Sequence, residues 1–354
     1  DDISLSDETN TEDDISLSDE TNTEEDTSVI GETSTQSNSE INLDWNIDTQ
    51  SFSTYSSSVS TSTKPFIYSN FTTSSAYKKY PAIRTKGSIY YPIPGLKQTN
   101  VNGVACKRMT PQGMCFAKDY MLITAYDSDN KYRSVIYVMK NDSSHSYITT
   151  LVLNSRSHVG GIAYGGGYVW VSHGTQVEAI SYQDIVNAVN KRKDSLSIKS
   201  YAYCNTLSQT STLTYAGGKL WVGTYNEKSN GKLYGYTVTD NTYTVTLTKS
   251  VGPITLPPKT QGIAIRDNKI FINTSFGRQN NSTLYIKNFT RNKIGSLLKS
   301  ITLPPMAEGI CVGSTYTYLL FESAAYKCVY QDPNDSCPSP VDRVCGIKTA
   351  SLVN

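Results

Sequence analysis

The chain has 354 residues, 38% of them hydrophobic, and no stretch approaches the roughly 20 consecutive apolar residues of a membrane span. Its formal net charge of +1 hides a segregation of charge, because residues 1–48 hold 16 Asp plus Glu and no Lys or Arg. The rest of the chain therefore carries 31 − 16 = 15 acids against all 32 bases, a net charge of +17. Such asymmetry indicates a polyanionic partner, or contact between the acidic segment and its own basic body. An alternative interpretation is that dispersed bases serve only to keep a β-rich surface soluble. Because the bases do not form one concentrated run, we do not expect nucleic acid as a partner.

The first 24 residues are a tandem duplication of DDISLSDETNTE, and a diverged third copy follows from Glu25. An acidic repeat with so few large apolar side chains cannot offset the entropy lost on ordering, so we predict a disordered arm over 1–48. Residues 49–86 are rich in Ser and Thr and are predicted to form a linker. The folded domain is predicted to span 87–354.

One sequence template recurs from Tyr90 onward, with two apolar alternations joined by a short turn. The five copies are QGMCFAKDYMLITAY from Gln112, GGIAYGGGYVWVSHG from Gly160, STLTYAGGKLWVGTY from Ser211, QGIAIRDNKIFINTS from Gln261 and EGICVGSTYTYLLFE from Glu308. Their starts are 48, 51, 50 and 47 residues apart. Alternation with a period of two predicts β-strands rather than helices.

A third strand follows each copy, and a fourth follows the first four copies, as at 147–153 and 297–303. Four antiparallel strands per unit of about 48 residues predict an all-β fold, a five-bladed β-propeller. The fifth unit lacks its fourth strand, and GSIYYPIPG from Gly87 resembles the strand that precedes that unit. We therefore predict that an N-terminal strand at about 87–95 closes the ring in the last blade. One short helix is predicted over 183–191, with Ser181 and Asp184 as a capping box.

Several weaker signals favour an exported protein at the cell surface or outside it. The chain begins at Asp1 without a basic and apolar leader, so we expect a mature or excised product. Glycosylation sequons occur at Asn70, Asn141, Asn273, Asn280, Asn281 and Asn288. Cys328, Cys337 and Cys345 lie close together near prolines and predict a disulfide-clipped loop, with at least one of the seven cysteines left unpaired. Cys115 and Cys311 share a template position and should lie on neighbouring blades.

Four sequence strings resemble secreted bacterial propellers of the YVTN/lactonase-like class, namely HVGGIAY from His158, SFGR from Ser275, PPMAEGI from Pro304 and FESAA from Phe321. The resemblance covers residues 87–354 and implies the fold and export. It implies no activity, so it assigns no functional residue.

In a propeller, the loops that enter the innermost strand and those that join the second strand to the third emerge around one tunnel mouth, where function usually resides. Reading these positions from each template gives the candidate ligand-binding residues Gln112, Tyr126, Asp127, His158, His173, Tyr225, Gln261, Phe276, Arg278, Glu308 and Glu322. Gln112 and Gln261 could equally bond the backbone of the next blade. Arg278 could bind a carboxylate, sulfate or phosphate, or could secure its own loop.

His158 and Glu308 are the candidate catalytic residues, because an ionisable group at a narrow tunnel mouth should have a perturbed pKa. Calcium is a minor possibility, with Glu308, Asp127 and backbone carbonyls as ligands. No Cys or His spacing predicts zinc, and the sequence contains no Gly-x-Ser-x-Gly, phosphate-loop or His-Glu-x-x-His motif.

Three functions stay open at this point. The first is an extracellular binding propeller that engages an anionic glycan or a peptide at the tunnel mouth. The second is a polysaccharide hydrolase or lyase with acid and base residues at the same mouth. The third is a coat or filament protein assembled by docking the acidic arm of one molecule on the basic body of another.

Overall fold

The computed structural model describes residues 70–241 and 243–353. The predicted acidic arm and most of the predicted linker lie outside these residues. Within them, no helix combines the length and apolar character needed to cross a membrane.

The described chain begins with a short helical segment inside the region predicted to be a linker. It contains single-turn 3-10 helices at Phe71–Thr73 and Pro81–Ile83 on either side of α1 (Ser75–Lys79). Phe71 and Ile83 are buried in a cluster with apolar residues of the fourth and fifth blades. This segment therefore packs on the propeller and adds to its core.

The strands follow the predicted order. Before the first blade come β1 (Ile89–Pro92) and a small hairpin of β2 (Thr99–Val101) and β3 (Val104–Cys106). The first blade has β4 (Met109–Ala117), β5 (Tyr120–Asp127), β6 (Val135–Lys140) and β7 (Tyr147–Val152). The second has β8 (Ile162–Gly165), β9 (Tyr168–His173), β10 (Gln176–Ser181) and β12 (Ala202–Asn205); between β10 and β12 the chain forms α2 (Tyr182–Asn190) and β11 (Ser195–Ser197).

The later blades are more regular. The third has β13 (Thr212–Ala216), β14 (Lys219–Gly223), β15 (Gly231–Asn241) and β16 (Thr244–Leu256). The fourth has β17 (Thr260–Arg266), β18 (Lys269–Thr274), β19 (Ser282–Thr290) and β20 (Lys293–Leu303). The fifth has β21 (Ala307–Val312), β22 (Tyr316–Phe321), α3 (Tyr326–Val329), β23 (Arg343–Lys348) and the terminal α4 (Thr349–Val353).

Five antiparallel blades confirm the predicted five-bladed propeller, and β1 closes the ring as expected. In the last blade the strand order is β1-β23-β22-β21, with Ile89 opposite Gly346 and Pro92 opposite Arg343. The first blade gains one strand that was not predicted, because β11 pairs in parallel with β7. The helix α2 occupies the predicted region, but its N-terminus has no side-chain cap, so the predicted capping box does not form.

The innermost strands converge at one end of the tunnel. A methyl group added at Gly161 would lie 2.5 Å from the backbone nitrogen of Leu213 in the next blade, and one at Gly262 would overlap the carbonyl oxygen of Glu308. Only glycine allows backbones of neighbouring blades to approach this closely. The tunnel is therefore narrowest near the first residues of the innermost strands.

The cysteines correct one prediction. All seven are free thiols, so the disulfide-clipped loop is not present. Cys328 and Cys337 are buried, and the backbone amide of Cys337 donates to the carbonyl of Cys328 at 2.8 Å, so hydrogen bonding and burial hold this loop instead. Cys115 and Cys311 are close enough to interact electrostatically, which matches their shared template position. Asn273 is fully buried, so its sequon cannot accept a glycan in the folded protein.

Candidate functional site

Five of the predicted residues meet at the narrow end of the tunnel, on the first, second and fifth blades. We call this group, together with one lysine that was not predicted, the Glu308 mouth; its members are Gln112, Tyr126, His158, Glu308, Glu322 and Lys327. A chain of short contacts connects most of them.

Gln112 and Glu308 occupy the same kind of backbone irregularity. The pairing register of β4 slips between Pro111 and Met114, and that of β21 slips between Ala307 and Ile310. A bulge of this kind re-aims a side chain at the rim of a sheet. The glycine that follows each residue permits the bulge to lie against the neighbouring blade. The Gln-Gly and Glu-Gly pairs of the template are therefore bulges that place a polar side chain at the mouth.

Glu322 is the centre of the hydrogen-bond network. Its Oε2 accepts a hydrogen bond from Nε2 of Gln112 at 2.9 Å and lies 3.0 Å from Nζ of Lys327. Nζ of Lys327 also donates to the hydroxyl of Tyr126 at 2.6 Å. Burial is the largest influence on the pKa of Lys327 and would lower it, but the Glu322 carboxylate, Tyr126 and Cys328 together outweigh burial, so the pKa is raised. The result is a firmly held ion pair with an amide on one side and a phenol on the other.

Glu308 lies beside this pair and is 4% exposed. Burial raises the pKa of its carboxyl well above the usual value, and the neighbouring Glu322 carboxylate raises it further, while Lys327 opposes both. Two carboxyl groups at one desolvated site cannot both ionise without a large cost. Of the two carboxyl groups, Glu308 and Glu322, Glu308 is therefore the one that holds a proton.

Tyr126 and His158 form an aromatic wall. Their ring centroids are 4.3 Å apart and the planes are inclined by 32°. His158 is exposed, so the wall is open to water on this side. Desolvation lowers the pKa of His158; the Glu322 carboxylate opposes this shift and Lys327 adds to it. The imidazole is therefore a neutral hydrogen-bonding group near pH 7.

Other predicted residues lie near the mouth but serve their own loops. Asp127 is buried, and its carboxylate accepts backbone amides from Asp129, Lys131 and Tyr132 at 3.2, 2.9 and 2.8 Å, so it caps the loop after β5. Nδ1 of His173 lies 2.9 Å from the hydroxyl of Ser157.

Arg278 links its own loop, between β18 and β19, to the long connection between β22 and β23. Its Nη1 donates to the carbonyl oxygen of Asp335 at 3.0 Å and to Oδ2 of the same residue at 3.1 Å. Phe276 is exposed, with the ammonium of Lys259 over its ring at 4.4 Å.

Tyr225 and Gln261 are both half-buried, on the third and fourth blades. Burial raises the pKa of Tyr225, and the Glu227 and Glu308 carboxyls add to the shift, which places this phenol within electrostatic reach of the mouth.

Lys327 was missed because nothing in its surrounding sequence marks it. It lies on the four-residue helix α3 inside the long connection 322–342, which has no strand-like alternation. Its role follows from the fold alone, since β22 ends at Phe321 and the chain returns over the mouth before β23 begins.

The charges around this mouth nearly balance. The strand-connecting loops at this end, with the strand residues Asp127 and Glu308, carry nine bases and eight acids, and because Glu308 holds a proton the net charge is 9 − 7 = +2. The bases are Lys107, Arg108, Lys131, Arg133, Arg156, Lys228, Lys259, Arg278 and Lys327, and the acids are Asp127, Asp129, Glu227, Glu308, Glu322, Asp332, Asp335 and Asp342. The positive charge of the body is therefore not concentrated here. Among residues 70–353 that are described, no group of three or more His, Cys, Asp or Glu side chains is arranged to hold a metal.

No family model matches the sequence, and no curated protein matches it. Solved structures with a similar fold include glutaminyl cyclase of Myxococcus xanthus, at 10% identity and a TM-score of 0.44, over 74% of this chain and 96% of that one. The tail fiber of Staphylococcus aureus phage P68 is 13% identical with a TM-score of 0.38, over 66% of this chain and 49% of that one. Hydrazine synthase of Kuenenia stuttgartiensis is 8% identical with a TM-score of 0.35, over 62% and 58%.

Proposed function

We propose that this propeller is a secreted carbohydrate-binding protein that holds an uncharged sugar at the Glu308 mouth. One arrangement carries the proposal: the buried Glu308 carboxyl, whose pKa is raised by burial, lies next to the ion-paired Glu322 carboxylate at a tunnel mouth walled by two aromatic rings. Composition, the exposed sequons such as Asn141 and Asn280, and the sequence resemblance support export.

A protonated carboxyl can donate one hydrogen bond and accept others. Within the described part of the chain, the Glu308 carboxyl makes no hydrogen bond, and its oxygens are not among the atoms sealed from solvent, so they can bond a ligand. Neighbouring hydroxyl groups on a sugar ring would supply both a donor and an acceptor.

The aromatic wall suits the same ligand. One face of a pyranose ring carries mainly C–H groups, which pack well on the flat rings of Tyr126 and His158. The small net charge of the mouth favours an uncharged sugar over an anionic one, since an anion would also approach the Glu322 carboxylate. The anionic glycan or peptide expected from the +17 body is therefore a poorer match for this end of the tunnel.

A panel of uncharged and acidic oligosaccharides, titrated into the full chain by isothermal calorimetry, tests the proposal. We expect an uncharged member to bind, and Glu308→Leu to weaken it at least about tenfold, since losing a buried hydrogen-bond partner costs on the order of 1.4 kcal/mol or more. Glu308→Gln should bind within about threefold of the parent, because an amide mimics a protonated carboxyl in size and hydrogen bonding.

Tyr126→Ala should also weaken binding, whereas Tyr243→Ala, at a residue 91% exposed on an outer hairpin, should leave it unchanged. The proposal fails if no uncharged sugar binds, or if Glu308→Leu binds as tightly as the parent chain.

A second function, hydrolysis or elimination of a polysaccharide, is favoured by a separate observation. The pKa of Glu308 is raised and that of His158 is lowered, so one group is an acid and the other a base near neutral pH. Groups whose environments separate their pKa values in this way can share acid and base roles. Release of reducing ends or unsaturated products would establish turnover. Glu308→Gln should then abolish turnover while keeping binding, and binding without any product would leave the first proposal alone.

A further inference from the structure

A cavity opens at the opposite end of the tunnel, where tight turns join the first and second strands of each blade. Its volume is about 1100 Å³, close to the upper limit for small-molecule sites. We call it the turn-end cavity. Each blade contributes at least one large side chain to its wall, among them Phe116, Tyr164, Tyr215, Arg266 and Tyr316.

The geometry of the innermost strands explains the position of the cavity. Those strands converge at the Glu308 mouth, where Gly161 and Gly262 allow backbone contact, and they spread apart towards the turns. Phe116, Tyr164 and Tyr215 occupy the same template position, near the end of the first strand of their blades. The space between the spreading strands is therefore lined by one ring from each of three adjacent blades.

These rings are held in place but not covered. All four aromatic side chains named in the wall are half-buried, so each keeps a surface that water can reach. The ring of Tyr215 lies directly against the backbone of Gly165, where a Cβ atom would overlap it. Tyr91 and His145 add a stacked pair at the edge of the cavity, with centroids 4.2 Å apart. Rings fixed by packing but open on one face form a preorganised stacking surface.

Arg266 brings a positive charge to this aromatic ring. Its Nε lies 3.2 Å from Oδ2 of Asp267, and the guanidinium has no other hydrogen bond within the described residues. Asp142, the acidic residue in the wall, directs Oδ1 to the backbone amide of Ser144 at 2.8 Å. The planar fork of Arg266 is therefore the cavity's available charged group for a ligand.

The surroundings of the cavity are basic. The hairpin turns of this end and the strand residues that flank them, together with Lys86 before β1 and Lys348 at the end of β23, carry nine bases and four acids, a net charge of 9 − 4 = +5. The bases are Lys86, Lys118, Lys140, Lys219, Arg266, Lys269, Arg291, Lys293 and Lys348, and the acids are Asp119, Asp142, Asp240 and Asp267. This end is therefore more basic than the Glu308 mouth.

We propose that the turn-end cavity binds an acidic oligosaccharide, with sugar rings stacked on Tyr164 and Tyr215 and an acidic group on Arg266. Aromatic faces match the C–H surfaces of the sugars, and a guanidinium binds a carboxylate or a sulfate through two parallel hydrogen bonds. The basic surroundings would raise the rate of association with such a ligand. Aromatic groups can also enclose an alkylammonium, but Arg266 and the net charge of +5 oppose a cation.

Isothermal calorimetry on the full chain tests this inference with four probes: tetragalacturonate, a heparin tetrasaccharide, uncharged cellotetraose and choline. We expect tetragalacturonate or the heparin tetrasaccharide to bind, which distinguishes carboxylate from sulfate recognition, and binding to weaken as salt rises. Arg266→Gln should weaken binding at least about tenfold, the loss expected for a charge-assisted hydrogen bond. The affinity of Arg266→Lys should lie between those of the parent chain and Arg266→Gln, because lysine keeps the charge but not the planar fork.

Arg291→Gln is the matched control, since Arg291 is exposed on the same end but lies outside the cavity. It should change affinity less than about twofold, and Glu308→Leu should not change it, which separates this site from the Glu308 mouth. Equal losses for Arg266→Gln and Arg291→Gln would mean non-specific attraction and would overturn the inference. So would cellotetraose or choline binding as tightly as the acidic probes to the Glu308→Leu chain, in which the Glu308 mouth is weakened, or no binding of either acidic probe. Unfolding curves of each variant check that it is folded. If Arg266→Gln does not fold, Arg266→Lys, which retains the charge at the site, still tests the inference.

Discussion

The protonated state of Glu308 can be tested without a ligand, because it makes stability depend on pH. The pKa of Glu308 in the folded protein is raised well above the 4.5 of an ordinary glutamate, with burial as the largest cause. Between those two pKa values the folded chain keeps a proton that the unfolded chain has released. Stability from this group is fully present below pH 4.5, and it falls as pH rises towards the folded-state pKa.

The magnitude follows from linkage. Each pH unit inside that interval removes about 1.4 kcal/mol of unfolding free energy. Glutamine has a similar size and does not titrate. Glu308→Gln should therefore match the parent chain near pH 4 and become progressively more stable than the parent as the pH rises above 4.5.

Urea unfolding at several pH values measures this difference, with the fluorescence of the buried Trp170 and Trp221 as the signal. Glu227→Gln is the matched control, because Glu227 is exposed at the same end of the propeller and its replacement should give a curve parallel to that of the parent. A stability difference between Glu308→Gln and the parent that does not change with pH would refute the assignment of the proton to Glu308. So would a variant less stable than the parent at pH 8.

Three other changes test the surrounding structure in the same unfolding assay. Lys327→Met should destabilise the fold by about 3 kcal/mol, because it leaves the Glu322 carboxylate without its partner. Adding Glu322→Gln should restore much of that loss, and additive destabilisation by the two substitutions would contradict the ion pair. Gly262→Ala should destabilise by more than about 2 kcal/mol, since the new methyl group overlaps the next blade, while Gly295→Ala on an exposed outer strand should cost less than about 1 kcal/mol. Phe71→Ala should cost about 3 kcal/mol if the helical segment before β1 belongs to the core, and no change would show that it does not.

The sequence was sufficient for the architecture because the repeats carry it. Five copies of one alternating template specify five similar sheets, and the missing fourth strand of the last copy has a matching segment at Gly87. The pairing of β1 with β23 confirms that inference. The same alignment brought Gln112, Glu308 and Glu322 to one mouth, because equivalent positions in a ring lie at equivalent heights.

The residues and the segment that were not predicted depend on the folded path of the chain, which the alternation of apolar and polar residues does not encode. Lys327 lies in a long irregular connection, so only the folded path of the chain reveals that it reaches Glu322. Phe116 and Tyr164 lie in alternating strands, where an aromatic residue facing a cavity has the same pattern as one in the core. The segment at 70–86 was assigned to the linker from its composition, although single apolar residues such as Phe71 pack on the blades.

The glycines where the innermost strands meet also bear on how many blades this sequence can form. In a ring, the distance between neighbouring innermost strands near the axis increases with the number of units. At Gly262 and Gly161 this chain has removed every side-chain atom from the interface, so a wider ring would leave gaps there that nothing could fill. A sixth copy gained by tandem duplication, like the one that enlarged the first 24 residues, would not simply insert into this circle. The number of blades is therefore set by the size of the ring of innermost strands that these contacts permit, as well as by the number of repeats in the sequence.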